Sequence, residues 1–169
     1  NFENRLVNKH YLAIVRGFMA EDGIIDYPLF NEIGKQQDAI TNFQTLQTVE
    51  IDLPHGKHTT SRYSLVNANP ITGRTHQIRR HFSHIFHPII GDRPHGCNKQ
   101  NKLFLEKFSL NTMMLHAAQL SFRHPITEQN ISLTANPSDE FCRIAHILGF
   151  FLHGDNHHTT TIKSSQRVV

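Results

Sequence analysis

The sequence has few cysteines and no long apolar run, and these absences exclude several classes of protein. Cys97 and Cys142 lie 45 positions apart without a CxxC motif, which argues against a disulfide framework or a zinc ribbon. No window approaches the roughly 18 consecutive apolar residues of a membrane-spanning helix. The first residues lack the apolar core of a signal peptide, so export has no support and we expect a cytoplasmic protein.

Three common catalytic patterns are also missing from the chain. The sequence contains no Ser-His-Asp order, no glycine-rich phosphate-binding loop and no pair of carboxylates at a catalytic spacing. What it offers instead is a group of arginines, a tyrosine in a predicted strand and loops rich in histidine. Any chemistry must therefore use these residues or be supplied from elsewhere.

The chain does have enough apolar residues for one domain, and its charge is unevenly distributed. Its 169 residues, of which 38% are hydrophobic, suit a single folded domain. Residues 1–52 carry four Lys or Arg and eight Asp or Glu, whereas residues 53–105 carry eight Lys or Arg, seven His and one Asp. Such a basic block is typical of a surface that meets a phosphate backbone, although a solvated face gives the same pattern.

The spacing of apolar residues predicts an α+β domain, with short helices flanking a largely antiparallel mixed sheet. We expect strands at residues 10–17, 24–29, 49–53 and 60–66, a hairpin at 115–133, and helices at 78–85 and 136–148. Apolar residues on both faces suggest that the strand at 10–17 is central. We interpret residues 31–45 and 93–101 as loops and residues 67–70 as a break.

The chain starts at Asn1 without an initiator Met, so we expect it to begin inside a longer protein. Its expected organisation is one domain at residues 1–153, incomplete at the N-terminus, followed by a polar tail at 154–169. The histidines of that tail are expected to be solvated rather than bound to metal.

The most distinctive stretch is residues 72–82, TGRTHQIRRHF, followed by HPIIGD at residues 87–92. Ile78, Phe82 and Ile85 recur at helical spacing, which places them on one face of a short helix. Arg79 lies beside this apolar stripe. An arginine there loses hydration unless a carboxylate or phosphate pairs with it, so the motif indicates an anionic partner.

Together with KHYLAIVRG at residues 9–17, LHA at 115–117 and HP at 124–125, these motifs resemble the pseudouridine synthases related to the bacterial ribosomal large-subunit and tRNA enzymes. The resemblance extends from residue 1 to about residue 141. It implies isomerisation of uridine in tRNA, with uridine 65 as the expected target. It also implies a monomer that binds structured RNA, neither DNA nor a membrane, and uses no metal or cofactor.

The resemblance assigns roles to particular residues. Tyr11 matches the tyrosine that stacks on the base and takes part in proton removal, and Arg79 matches the arginine that pairs with the catalytic Asp. The family's His-Arg-Leu-Asp motif, which carries that Asp, is absent from this sequence. We therefore expect the nucleophile upstream of residue 1, and no carboxylate partner for Arg79 within the chain. The expected RNA contacts are Arg62, Arg74, His76, Arg80, Lys99 and Lys102.

Alternative interpretations accompany these roles. The chain could be a non-catalytic RNA-binding module that uses the basic block at residues 53–105. A strand tyrosine such as Tyr11 is often a core residue. His81, His84 and His87 turn progressively around a helix without a carboxylate or Cys beside them, which does not favour a metal site. Asp92 is expected in a structural turn, and Phe86 stands where many relatives have Gly, so the exit of the helix is expected to differ.

Overall fold

Six antiparallel strands form the centre of the computed structural model, which describes residues 7–152. The elements in chain order are β1 (Asn8–Arg16), β2 (Asp22–Asp26), β3 (Leu29–Phe30), β4 (Gln36–Gln37), β5 (Ile40–Ile51), β6 (Ser61–Pro70), α1 (Gln77–His84), α2 (Asn98–Phe108), β7 (Leu115–Arg123), β8 (Asn130–Thr134) and α3 (Asp139–Leu148). The sheet has the order β2-β5-β6-β1-β7-β8, and β3 and β4 form a separate hairpin. This arrangement confirms the predicted α+β fold. The predicted tail from residue 154 lies outside the described residues.

The strand β1 lies at the centre of the sheet, as its sequence predicts. It pairs with β6 on one side and with β7 on the other. Ala13, Ile14 and Val15 are fully buried, because helices or loops cover both faces of the sheet at this point. No helix among residues 7–152 is long and apolar enough to cross a membrane.

The helix α1 packs on the face of the sheet that carries Tyr11. Tyr11 and Phe43 both lie opposite Ala68 of β6, and residues directly opposite each other in an antiparallel pair share a face. Phe82 of α1 contacts Phe43, with 6.3 Å between the ring centroids. The predicted apolar stripe of the helix is therefore confirmed, and it packs α1 against β5 and β6.

The helices α2 and α3 pack on the opposite face. Tyr63 faces that side, since its position in β6 differs from that of Ala68 by an odd number of residues. Its ring contacts Phe104 of α2 at 5.4 Å between centroids, and Phe141 of α3 packs against His116 of β7. The sheet is thus covered by α1 on one face and by the other two helices on the second face.

Several local predictions are wrong. Residues 31–45, predicted as a loop, contain β4 and the first half of β5, which is stabilised by pairing with β2 and β6 despite its polar residues. Residues 67–70 do not break β6; Pro70 ends the strand, where a missing N–H is tolerated. Residues 98–101, predicted as loop, begin α2. The last helix begins at Asp139 and not at residue 136, because its N-cap is Ser138, whose hydroxyl accepts a bond from the Phe141 amide at 3.2 Å.

Phe86, where the exit of α1 was expected to differ, adopts a backbone conformation that favours glycine. Its φ angle is 65°, in the left-handed region that disfavours residues with a Cβ atom, and its side chain is 80% exposed. The chain therefore leaves α1 through a left-handed residue, and that residue is a phenylalanine in a conformation that glycine adopts more readily.

Replacing Phe86 by Gly should raise the free energy of unfolding by about 1 kcal/mol, because it relieves the left-handed strain and removes little packing. Urea denaturation measures this change. Phe86→Ala is the matched control: it removes the same ring but keeps a Cβ atom, so it should give no such gain. Equal stabilisation by both variants would show that the ring, and not the backbone, is responsible.

Candidate active site

A cavity of about 260 Å³ brings together four of the residues that the sequence singles out: Tyr11, Arg74, His76 and Arg79. We call it the Tyr11 cavity. Its lining consists of residues from β1, from the end of β6, from the loop before α1, from α1 itself and from the start of β7: Lys9, Tyr11, Pro70, Thr72, Gly73, Arg74, His76, Gln77, Ile78, Arg79 and Leu115.

Space beside the Tyr11 ring exists because its neighbours in the sheet are small. Tyr11 lies opposite Ala68 on β6 and opposite Ala117 on β7. Two alanines flank the tyrosine, so no bulky side chain covers the sheet on either side of its ring. A register shift between His10 and Tyr11 interrupts the pairing with β7, and such irregularities re-aim side chains beside functional sites.

Gln77 fixes the loop that forms one wall of the cavity. Its side-chain carbonyl oxygen accepts bonds from the Thr72 hydroxyl at 2.6 Å and from the Arg74 amide at 3.0 Å. Its side-chain amide donates to the Ile40 carbonyl and to the Thr41 hydroxyl oxygen, both at 2.9 Å. All four bonds come from a side chain that is only 4% exposed. Gln77 therefore fastens residues 72–74 to β5.

Arg79 is held in a two-point ion pair by Asp92. The Arg79 Nε and Nη2 atoms each donate to one carboxylate oxygen of Asp92 at 2.8 Å. The Asp92 side chain is 1% exposed and that of Arg79 is 15% exposed, so water screens the pair only weakly. Nη1 of Arg79 makes no hydrogen bond within the described residues, and Arg79 also lines the Tyr11 cavity.

Two glycines and an asparagine shape the turn that presents Asp92. A Cβ atom at Gly91, whose φ angle is 80°, would collide with the Thr112 carbonyl, and one at Gly96 would collide with the carbonyl of Asp92. Asn101 of α2 donates to the Asp92 carbonyl at 2.7 Å and accepts from the Gly91 amide at 2.8 Å. Asp92 thus lies in a tightly packed turn.

The electrostatic balance keeps Asp92 ionised. Burial is the largest effect on its carboxyl and acts to raise the pKa, but the hydrogen bonds from Arg79 and from the His95 amide, together with their charges, lower the pKa below its ordinary value. The hydrogen bond to Asp92 likewise raises the pKa of Arg79. Because the folded-state pKa of Asp92 is depressed, the pair stabilises the protein above about pH 4 and this contribution is lost as the pH falls through the folded-state pKa.

The expectation that Arg79 has no carboxylate partner within the chain is wrong, since Asp92 fills that role. Asp92 lies in a turn, as predicted, but nothing in the sequence connects that turn to Arg79, which lies 13 residues earlier. A direct pair with an upstream Asp can use only the N–H groups that Asp92 leaves free.

The predicted RNA-contact residues fall into two groups. Arg74 and His76 line the Tyr11 cavity, and Arg80 lies on α1 one residue beyond Arg79. Arg62 lies at the other end of β6, eight residues from Pro70, which corresponds to about 26 Å along an extended strand. The remaining two, Lys99 and Lys102, lie in the first turns of α2. The basic block at residues 53–105 therefore does not form one continuous face.

Three residues at the site were not singled out by sequence reasoning. Lys9 lines the cavity, and its position two residues before Tyr11 on β1 is the signal that could have found it. Gln77 lies within the quoted motif but was given no role. The His95 backbone amide donates to Asp92 at 3.1 Å, and Nε2 of its ring forms a hydrogen bond with Nδ1 of His76 at 3.0 Å. Burial lowers the pKa of His95, which favours the neutral ring.

The three histidines around α1 have separate partners. The ring nitrogens of His81 bond to the Thr41 hydroxyl and the Tyr27 carbonyl, both at 2.9 Å. His84 stacks on Tyr27 with 3.5 Å between centroids, and His87 bonds to the Arg16 carbonyl at 2.8 Å. Across residues 7–152 no group of three or more potential ligands could hold a metal ion.

Comparison with known proteins defines the class to which this site belongs. Residues 1–84 match the RNA pseudouridylate synthase family. The tRNA pseudouridine synthase C of Pasteurella multocida is 40% identical over 163 residues, which cover 90% of this chain and 67% of that protein. The chain therefore belongs to the RNA pseudouridylate synthase family, as its motifs predict.

Two further proteins place the chain within that family. The tRNA pseudouridine synthase C of Haemophilus ducreyi is 48% identical over 144 residues, which cover 79% of this chain and 59% of that protein. Among solved structures, human RNA Pseudouridylate Synthase Domain Containing 4 has a TM-score of 0.60 at 25% identity, and the match covers 84% of this chain and 62% of that one. The chain thus spans about three fifths of the length of the H. ducreyi protein.

Replacing Gln77 by Leu should lower the free energy of unfolding by roughly 2–4 kcal/mol, because it removes four hydrogen bonds at a buried position and leaves the Arg74 amide without its acceptor. Urea denaturation checks the value. Gln44→Leu, at an exposed position of β5, is the matched control and should change stability by less than about 0.5 kcal/mol. A similar small effect of Gln77→Leu would mean that the four bonds do not hold the loop.

Replacing Arg79 by Met should destabilise the protein by roughly 3–5 kcal/mol, since it leaves the buried Asp92 carboxylate unpaired. The comparison is Arg80→Met, which removes the same charge from the adjacent residue. Arg80 donates to the Phe30 carbonyl at 2.9 Å and forms no ion pair within the described part of the chain, so its loss should cost about 1 kcal/mol. Equal costs for the two variants, measured by denaturant unfolding, would contradict the importance of the pair.

Proposed function

We propose that the complete protein isomerises uridine to pseudouridine in tRNA, in the cytoplasm, with uridine 65 as its target. The observation that carries this proposal is that Tyr11 and Arg79, the two residues that match the family's tyrosine and arginine, line one cavity although 68 positions separate them in the sequence. The names of the similar proteins from H. ducreyi and P. multocida support tRNA as the substrate.

The nucleophilic Asp is supplied, in this proposal, by sequence upstream of residue 1. No aspartate among residues 7–152 lines the Tyr11 cavity. The nearest candidate, Asp92, is buried and uses both carboxylate oxygens to accept bonds from Arg79. A carboxylate that is already saturated and enclosed in a turn is a poor nucleophile, so Asp92 acts as a positioning residue.

Arg79 can serve the nucleophile while it remains bound to Asp92. A guanidinium has five N–H donors, and Asp92 takes one from Nε and one from Nη2. The Nη1 group and the second hydrogen of Nη2 remain available to a carboxylate that enters the cavity. A guanidinium that bonds to such a carboxylate lowers its pKa and keeps it ionised, as nucleophilic attack requires.

Tyr11 stacks on the base and takes part in removing its proton. The target nucleotide must leave the RNA helix to reach a cavity of this size, and stacking on an aromatic ring offsets part of the unstacking energy. The Asp attacks the nucleotide and the glycosidic bond breaks. The base then turns and reattaches through carbon while the bond to the Asp breaks, which regenerates the carboxylate. That carbon then loses its hydrogen as a proton, for which the Tyr11 hydroxyl lies in the cavity.

The rim of the cavity supplies the contacts that hold the RNA. Arg74 donates its Nε to the Asp38 carbonyl at 2.9 Å, and its remaining N–H groups form no ion pair within the described chain. His76, the N-cap residue of α1, also lines the cavity, and Arg80 lies four residues further along the helix, outside the lining. These groups are suited to phosphate oxygens on either side of the flipped nucleotide.

Tyr11→Phe in the full-length protein should leave RNA affinity nearly unchanged and reduce pseudouridine formation by at least about a hundredfold, because the ring still stacks and only the hydroxyl is lost. Product is measured by mass-resolved nucleoside analysis of an unmodified tRNA transcript. Tyr27→Phe removes the same hydroxyl outside the cavity and should retain full activity.

Two results of that assay would contradict the proposal. Turnover by Tyr11→Phe near that of the unaltered protein would remove Tyr11 from the proton transfer. Binding of tRNA without any pseudouridine from the unaltered full-length protein would favour a non-catalytic RNA-binding module instead.

A further inference from the structure

A second basic cavity, of about 540 Å³, opens where β1 ends and β6 begins. Its lining includes two arginines, two histidines and a glutamine from the first turn of α2: Arg16, Arg62, His55, His58 and Gln100. We propose that this Arg16 cavity binds a backbone phosphate of the RNA at a distance from the reacting uridine. That the ligand is tRNA rests on the proposed function. That the cavity binds a phosphate group rests only on the residues that line it.

Arg16 is the strongest indication of an anionic ligand. Its side chain is partly buried, and its one described side-chain contact is from Nη1 to the sulfur of Cys97 at 3.5 Å. No carboxylate in residues 7–152 forms an ion pair with it. A guanidinium that has lost part of its hydration without gaining a carboxylate is stabilised by an anion in the adjoining cavity.

The N-terminus of α2 adds a second, independent contribution. Its N-cap residue, Cys97, makes no side-chain capping bond, and the first turn contains no acidic residue. Within the described chain the amides of Asn98, Lys99 and Gln100 have no acceptor, since the first helical bond runs from the Asn101 amide to the Cys97 carbonyl. Free amides and the helix dipole favour an anion at this end of the helix. The contact between Arg16 and Cys97 brings the guanidinium to the same point.

Arg62 completes the site with an aromatic neighbour. Its guanidinium lies over the Phe18 ring at 5.0 Å from the centroid, and Phe18 is 43% exposed. Glu50 pairs with Arg62 at 3.2 Å, but both side chains are well exposed, so water and salt screen that pair. An exposed ring beside a guanidinium is typical of surfaces that bind nucleic acid.

The two cavities lie on opposite faces of the sheet. Tyr11 is on the face that α1 covers, whereas Arg16 pairs with Tyr63 and shares the face that α2 covers. The two residues are five positions apart on β1, or about 16 Å, so an RNA that contacts both cavities has to extend from one face of the sheet to the other. The cavities also separate the predicted RNA contacts: Arg74 and His76 line the Tyr11 cavity, whereas Arg62 lines the Arg16 cavity and Lys99 and Lys102 lie on the first turns of α2.

The test measures the affinity of the full-length protein for an unmodified tRNA transcript. Salt is varied from roughly 50 to 200 mM, because phosphate contacts change affinity strongly over this range. Arg16→Gln should weaken binding about tenfold at the lower salt concentration and reduce the slope of log affinity against log salt by about 1. Lys107→Gln, which removes the same charge from the last turn of α2, is the matched control and should leave both values unchanged. Thermal melts verify that each variant folds, and Arg62→Gln serves as the second variant.

The outcomes separate this inference from the proposed function. If both arginine variants show the same affinity and the same salt slope as Lys107→Gln, the proposed phosphate site is overturned. The thermal melts are repeated with inorganic phosphate. If Arg16→Gln removes the stabilisation by phosphate but leaves RNA binding unchanged, the RNA site is also overturned, since the cavity would then take only a free anion. A reduced slope in a protein that forms no pseudouridine would support the phosphate site and refute the proposed activity.

Discussion

The ion pair between Arg79 and Asp92 is the interaction on which the site depends most. It joins α1 to the turn that precedes α2. Two parallel hydrogen bonds at 2.8 Å fix the plane of the guanidinium and not merely its charge. Because Asp92 takes only one edge of that group, the rest remains available at the Tyr11 cavity.

The remaining constraints act by holding backbone in place around this pair. Gln77 fastens the loop before α1 to β5, and Gly91 and Gly96 permit the close backbone contacts around Asp92. Most residues that we have described in the motifs at 72–82 and 87–92 therefore hold the backbone in place around the ion pair. In the proposed mechanism the chemistry is left to a few groups, principally Tyr11 and the free edge of Arg79. This division is common in active sites, where rigid supporting contacts set the geometry of a small reactive centre.

The sequence predicts the parts of the fold that have a strong local signal. The central strand, the apolar stripe of α1, the hairpin of β7 and β8 and the end of α3 at Gly149 all have clear periodicity or a breaker residue. Residues 40–45 of β5 and the start of α2 do not, because sheet pairing and the burial of Gln100 and Phe104 stabilise segments whose own pattern is polar. The pairing of Asp92 with Arg79 was not predicted for the same reason. A contact between two separate motifs does not alter the spacing of apolar residues in either motif.

A double-mutant cycle on Arg79 and Asp92 tests the central claim most directly, with Arg79→Met, Asp92→Asn and the double variant compared by denaturant unfolding. If the two side chains act as one unit, the double variant is less destabilised than the sum of the single variants, with a coupling above about 2 kcal/mol. Single-variant effects that add to within about 0.5 kcal/mol would contradict the account, because they would mean that the two residues stabilise the protein independently.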